Sequence, residues 1–240
     1  PSIPLASITI GLGNHYLRKA SEIEAKARTS RLIRAREGVV LSAGGFIMAG
    51  NTDAFGAAGN QDFWVLKLDA SGNVTWQKTF GGADWDTAQS IVQTSEGGFI
   101  VAGTTYSFGA GGGDMWVLKL TVGGVIEWQK AYGIPCCTDG ANAVQQTLDG
   151  GYIVAGVNSG PGWMLKLNPL GNVVWQKTFA GSAAIRAVQQ ISDGGFIMAG
   201  NTGDPGDYLL LKLDENGNIG PSCAFLLDTN ATVTVTNAVI

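Results

Sequence analysis

From about residue 39 onward the chain alternates between short apolar runs and polar breaks built from Gly, Asp and Asn. The runs are rich in Val, Ile, Phe and Trp and too short for helices. They read as strands, and the breaks read as turns. Between Gly97 and Gly133 three runs follow one another: "GGFIVAGTT", "MWVLKL" and "VIEWQKAYG", parted by "YSFGAGGGD" and "TVGG". Their pieces recur. "GGFI" stands at Gly44–Ile47, Gly97–Ile100 and Gly194–Ile197, with "GGYI" at Gly150–Ile153. "LKL" stands at Leu66–Leu68, Leu118–Leu120, Leu165–Leu167 and Leu211–Leu213. "WQK" begins at Trp76, Trp128 and Trp175 and has no fourth copy. The copies lie about 44–53 residues apart, a period shared by propellers and helical arrays, and the strand-like pattern within each copy favours the former.

Each unit parses into four strands, a to d. In the second unit these are expected near 88–94, 99–105, 115–120 and 125–132. The a–b turns "SEGG", "LDGG" and "SDGG" place an acid before glycine, which suits positive φ in a tight hairpin. The c–d turns "DASGN", "TVGG", "NPLGN" and "DENGN" close on Gly. Four antiparallel strands per unit, repeated in tandem, predict an all-β chain: a β-propeller of four blades with four strands each. The expected organisation is an N-terminal α-helical arm over 1–38, repeats over 39–227 and a C-terminal β tail over 228–240.

The stretch "LKLDASGNVTWQKTFGGADWDTAQSIVQTSEGGFIVAGTT" (Leu66–Thr105) resembles the β-propeller repeat of secreted bacterial and archaeal proteins. That repeat carries D-x-x-G-N-x-x-W-x-K-T-x-G-G followed by D-G-G-F/Y-I-x-A-G. The resemblance covers about Val39–Asn218 and implies a propeller fold and export; it implies no particular reaction.

Two departures from the pattern stand out. The first a–b turn, in "GVVLSAGGFI", lacks its acid, and the fourth unit has Ile219-Gly220-Pro221 where the tryptophan strand belongs. That strand is either "CAFLLD" (Cys223–Asp228) or another segment, because an open sheet edge recruits a partner. "ASITIGL" near the N-terminus and "TVTVT" (Thr232–Thr236) both alternate like strands. If one serves internally, the other is free to pair with a neighbouring subunit.

Asn14 to Arg36 reads as a helix: Asn14 can cap it, Tyr16, Ala20, Ile23 and Ala27 follow helical spacing, and Glu22–Lys26 and Glu24–Arg28 support it. The arm also reveals an asymmetry hidden in the net charge of -4: residues 1–38 carry seven basic and three acidic side chains, the rest eight and sixteen. With one aromatic residue and no nucleic-acid motif, the arm is expected to meet an acidic protein body, its own or a neighbour's, and not nucleic acid. Tyr16, Ile23, Arg31 and Arg34 in the arm, with Thr232, Val233 and Val235 in the tail, are the candidate assembly residues.

At 45% hydrophobic and 14% charged, the chain has ample material for a core. No run of about eighteen apolar residues exists to span a membrane. No leader-like segment precedes the first repeat, and a start at Pro1 fits a processed product. Asn73-Val-Thr and Asn230-Ala-Thr are glycosylation sequons, in keeping with export.

Catalytic chemistry is thinly represented. The one histidine, His15, lies outside the repeats, so neither a histidine triad nor a multi-histidine metal site is expected within them. Cys136, Cys137 and Cys223 match no zinc spacing but allow one disulfide, of open pairing. Asp62, Asp114 and Asp207 end b–c loops, and Asp86 and Asp139 close d–a loops on the same face. They are expected to cap turns, with calcium as the alternative. Trp85, Tyr106 and Phe108 are the candidate exposed loop contacts. Strand tryptophans Trp64, Trp116 and Trp163, with Trp76, Trp128 and Trp175, are expected to pack between blades. "LKLDASGNVTW" is similar to the tryptophan-docking motif of quinoprotein dehydrogenases, which implies a larger ring around pyrroloquinoline quinone and calcium. The chain has about half that number of blades, so no such cofactor is expected.

Three readings follow, in order of preference. The first is an extracellular structural protein that self-associates through its arm and tail, into a homo-oligomer or filament. The second is a binding module whose loop face takes a glycan, an ion or a surface protein. A quinoprotein-like enzyme comes third.

Overall fold

A computed structural model describes residues 33–53, 60–135, 137–179, 182–202, 208–219, 226–228 and 232–235. Among these residues there are strands and no helix. Sheet one holds β1 (Ile33–Val40), β2 (Phe46–Thr52), β3 (Asp62–Leu68) and β4 (Val74–Phe80). Sheet two holds β5 (Asp86–Gln93), β6 (Phe99–Thr105), β7 (Asp114–Leu120) and β8 (Ile126–Gly133). Sheet three holds β9 (Asp139–Gln146), β10 (Tyr152–Asn158), β11 (Gly162–Leu167) and β12 (Val173–Phe179). Sheet four holds only β13 (Ser182–Gln190), β14 (Phe196–Thr202) and β15 (Tyr208–Leu213). All neighbours are antiparallel, as short hairpin connections require.

The hairpins are set by repeated turn chemistry. In every a–b turn the residue after the first strand donates its N–H to a glycine carbonyl four residues on, for instance Thr94 to Gly98 at 2.9 Å. The glycine before that carbonyl residue, Gly97 in sheet two, has φ of 86°, a region open to glycine and costly for other residues.

The sheets pack face to face in chain order. Because side chains alternate along a strand, one row of each sheet meets the preceding sheet and the other row meets the following one. Phe99, Val101, Trp116 and Leu118 join Ile47, Phe63 and Val65 of sheet one. Ile100, Met115, Val117 and Tyr132 join Tyr152, Val154, Trp163 and Leu165 of sheet three. Ile153 and Met164 then join Phe196, Met198 and Leu213 of sheet four. A central sheet is thus covered twice, and β7 is buried at every position, as its nearly unbroken apolar run requires. No core cluster among the described residues joins sheet four to sheet one.

Several expectations need correction. The helix expected up to Arg36 ends in strand: Ile33–Val40 pairs with β2, Arg34 standing opposite Asn51. Its charged residues satisfy helical spacing, but the β2 edge offers a ladder, and packing outweighs weak local propensity. The first sheet therefore begins at Ile33, not near 39. The rest of the arm, with Tyr16, Ile23 and Arg31, lies outside the described residues. "CAFLLD" does not complete sheet four: β16 (Leu226–Asp228) pairs with β12 of sheet three. The tail strand β17 (Thr232–Val235) pairs with β8 of sheet two, so Thr232, Val233 and Val235 lie on the chain's own sheet. Among the described residues sheet four is one strand short, with a single bridge from Leu213 to Ile219 where its fourth strand would begin.

Candidate functional site

Two devices repeat at the joints between sheets. The tryptophan of each fourth strand reaches forward. Trp76 Nε1 donates to Val122 O at 3.1 Å, and its ring meets Phe99 edge-on at 5.9 Å. Trp128 does the same to Pro169 O at 3.1 Å and Tyr152 at 5.8 Å. Trp175 meets Phe196 at 5.8 Å. Each ring lies on the glycine of the next c–d turn, Gly124, Gly171 or Gly217, where a Cβ would press into it. A glutamine at the end of each first strand reaches backward. Gln93, Gln146 and Gln190 accept the N–H of Ser42, Ser95 and Leu148 at 3.0, 2.7 and 2.8 Å. The missing fourth "WQK" now has a physical reading: among the described residues no fifth sheet follows sheet four to receive such a ring.

In sheets three and four the lysine of "LKL" is committed to the a–b turn. Lys166 Nζ lies 2.7 Å from Asp149 Oδ2, and Lys212 Nζ lies 2.7 Å from Asp193 Oδ2. Burial opposes ionisation of Asp149, but hydrogen bonds from Lys166, Thr147 and Gly151 outweigh it and hold the carboxyl at about 2. A lowered carboxyl contributes stability above its unfolded value near 4 and loses it as pH falls through about 2. Asp149→Asn is therefore expected to flatten that part of the acid limb in urea titrations. At pH 7 it is expected to cost about 1–2 kcal/mol, since it strands the buried Lys166 while Asp149 itself faces water.

The five loop aspartates do not form one collection. The structure groups four of them as two pairs, one at each of the first two joints. A Cβ on Gly81 would overlap Asp62 Oδ1 and come within 2.9 Å of Asp86 Oδ2, so both carboxyls face that glycine. Gly133 stands in the same way between Asp114 Oδ1 and Asp139 Oδ2. All four residues are at most 5% exposed. The capping role expected of them is present on one oxygen of Asp86, Asp114 and Asp139. Asp86 Oδ2 accepts Gly82 N–H at 3.0 Å and Ser107 Oγ–H at 2.8 Å; Asp114 Oδ2 accepts Ala110 N–H, and Asp139 Oδ2 accepts Ile134 N–H, each at 2.8 Å. The Oδ1 of every one is buried without a partner. Burial, and then the charge of Asp86, push Asp62 up to about 6. Burial also raises Asp114 to about 6, with Asp139 adding to it against the Ala110 hydrogen bond. Asp86 and Asp139 are raised by burial too. Asp207 lies outside the described residues. No group of three or more metal-ligating side chains occurs among the described residues.

On the loop surface Trp85 is 57% and Tyr106 47% exposed. They are neighbours, since Tyr106 N–H donates to Trp85 O at 2.9 Å, and Trp85 Nε1 donates to Asn60 Oδ1 at 3.0 Å. Phe108 departs from its expected exposure: it is half-buried, 5.2 Å from the Trp116 ring, and belongs to the core between sheets one and two. Cys137 is disulfide-bonded; Cys136 and Cys223 lie outside the described residues.

Sequence reasoning missed an exposed apolar row on sheet four. Ile197 is 39%, Leu210 71% and Tyr208 92% exposed, all on the face of sheet four turned away from sheet three. In the earlier sheets the matching positions are fully buried: Ile47, Ile100 and Ile153 for Ile197, Val65, Val117 and Met164 for Leu210, and Phe63 and Met115 for Tyr208. Aligning the repeats on "LKL" and asking which copy lacks a successor would have found it.

No family model and no curated protein matches the chain. Among solved structures it is similar to a protein of unknown function from Bacteroides caccae, at 10% identity, with 82% of each chain covered and a TM-score of 0.40.

Proposed function

We propose that the chain is an extracellular structural subunit, a propeller-like array of four blades that self-associates through the outward face of sheet four. The observation that carries this reading is the exposure of Ile197, Tyr208 and Leu210, whose counterparts in the three earlier sheets are buried under a following sheet. A contiguous apolar patch of that kind on a small protein marks an interaction surface. The occupant is a second copy presenting the same apolar face of its own sheet four, because the backward face of sheet one, the counterpart of those used at the internal joints, is already buried at Trp64, Leu66 and Leu68. The edge of sheet four adds a second means of contact for a donated strand. The excess of acid outside residues 1–38 suits a basic arm from a neighbour. Export is supported by the disulfide at Cys137, since structural disulfides belong to oxidising compartments.

Sedimentation of the full chain tests the proposal. The wild type is expected to form oligomers or filaments at micromolar concentration. Leu210→Lys is expected to weaken association at least tenfold with the urea midpoint unchanged, because Leu210 is exposed in the single chain. A wild type that remains monomeric at high concentration removes the idea.

The pairing of exposed Trp85 with Tyr106 favours a second reading, a glycan-binding loop face. Trp85→Ala should then abolish capture on a glycan array, and equal capture by wild type and variant would discard this reading.

A further inference from the structure

The two aspartate pairs are built alike, and the third joint lacks them: Pro161 and Ser182 stand at the corresponding positions. Each pair straddles a joint. Asp62 begins β3 of sheet one and Asp86 begins β5 of sheet two; Asp114 begins β7 of sheet two and Asp139 begins β9 of sheet three. Beside each pair the second aspartate ties the sheets together through the backbone. Asp86 N–H donates to Gln61 O, and Asp139 N–H to Gly113 O, both at 2.6 Å.

We propose that each pair holds one shared proton, and that losing it loosens the joint the pair occupies. The second member of each pair is assigned the charge: Asp86 Oδ2 accepts two hydrogen bonds and Asp139 Oδ2 one, as a carboxylate does, while the one hydrogen bond to Asp114 Oδ2, from Ala110, is one the carbonyl oxygen of a neutral acid also accepts. The first member carries the proton on Oδ1, the oxygen that faces its partner's Oδ2 across Gly81 or Gly133 and has no donor of its own. Two bare carboxylates in so small a buried space repel each other strongly, and one proton removes that repulsion. Deprotonation releases H⁺ to water and leaves two like charges facing each other. Their repulsion falls on the neighbouring 2.6 Å backbone bond between sheets.

The surroundings offer no compensating cation. Near the first pair stand Gly82 and Asp84 of the β4–β5 connection, Thr105 and Ser107 from sheet two, and Gln61 ahead of β3, so the further charge there, Asp84, is acidic. Near the second stand Gly109 and Ala110, Gly113, Ile134 and Ser159, with the Tyr106 ring beside Gly113 as the further titratable group. Among the described residues no lysine or arginine forms an ion pair with any of the four. A divalent cation is the competing occupant, and it is poorly provided for. Calcium takes six to eight oxygens, whereas each pair leaves two side-chain oxygens without a partner.

The sign of the pH effect follows from the raised carboxyls. Their stabilisation is complete below the unfolded value near 4 and is lost as pH rises through about 6. In urea titrations with chelator present, the wild-type midpoint should fall between pH 5 and pH 8. Asp62→Asn with Asp114→Asn, in which an amide N–H replaces the proton, should remove most of that fall. At pH 8 its folding equilibrium constant should exceed the wild type's at least tenfold. Infrared spectra of the wild type at pH 5, below the titration near 6, should show a protonated carboxyl that fades by pH 8 and that the double variant lacks, which keeps the test open should that variant fold poorly. A wild-type midpoint independent of pH, or a pH 5 spectrum without the protonated band, overturns the proposal. So does a calcium-induced rise in the wild-type midpoint at pH 8 that the double variant loses, since the pairs would then be cation sites.

Discussion

Gly103→Ala is expected to cost about 3–5 kcal/mol and to leave the chain largely unfolded or insoluble at 37 °C. Gly103 lies on β6, opposite the point where β5 bulges between Ala88 and Ser90. The bulge brings the Thr87 carbonyl over the glycine. An added Cβ would overlap that oxygen and come within 2.8 Å of Ala88 Cα and Phe63 Cζ. Two of those three obstacles are backbone, so no rotamer change relieves them, and the third belongs to the buried face of sheet one. Gly156 and Gly200 stand in the same relation to Gly140 O and Ala184 O. Gly97→Ala is the control. Nothing lies within 4 Å of its Cβ position, and only its φ of 86° resists, at about 1 kcal/mol. Urea midpoints of the two variants decide the matter: equal midpoints would mean that the close approach at Gly103 carries no energetic weight.

Trp128→Ala is expected to have the second largest effect, about 3 kcal/mol, and to change the form of unfolding as well as its midpoint. The indole fills the space between the end of sheet two and the c–d turn of sheet three, against Gly171 and Tyr152. Tyr132 OH, donating to Gly171 O at 2.6 Å, and Lys130 Nζ, donating to Leu170 O at 2.9 Å, would remain. The joint would therefore weaken rather than vanish. In an array stabilised by contacts between neighbours, weakening one joint separates the array into halves that open independently. The urea m-value should fall, and hydrogen exchange should show sheets one and two protected together while sheets three and four open earlier. A single transition with the wild-type m-value would argue that the joint is not the weak link.

The sheets themselves were legible because strand signals here are local and repeated. "FIVAG" and "MWVLKL" carry β-branched and aromatic residues at alternating positions, and Gly97 and Gly124 close the turns within a few residues of the strands they join. Asn14–Arg36 was ambiguous for a physical reason. The first strand of each sheet is polar, as "DTAQSIVQ" and "DGANAVQQ" also are, so "IRAREGVV" has no apolar stripe to separate a strand from a charged helix. The destinations of Leu226–Asp228 and Thr232–Val235 were illegible because any bare outer strand can accept either. The aspartate pairs were half legible. Their positions repeat visibly, but that Asp62 meets Asp86 rather than Asp114 depends on how one sheet docks on the next, which no short window of sequence records.

The placement of the two tail strands has a consequence for synthesis. Thr232 pairs with Gly133, about a hundred residues earlier, and Asp228 pairs with Lys177, about fifty residues earlier. Translation proceeds from the N-terminus, so β8 and β12 leave the ribosome with bare outer edges and wait for a later-made part of the chain to cover them. Such long closures are slow, and a bare edge is prone to pair with whatever strand arrives first. A message truncated ahead of residue 226 would give a product with nearly all of its core and neither of those covers, and the cell would meet it as an aggregation hazard rather than as a shortened but sound protein.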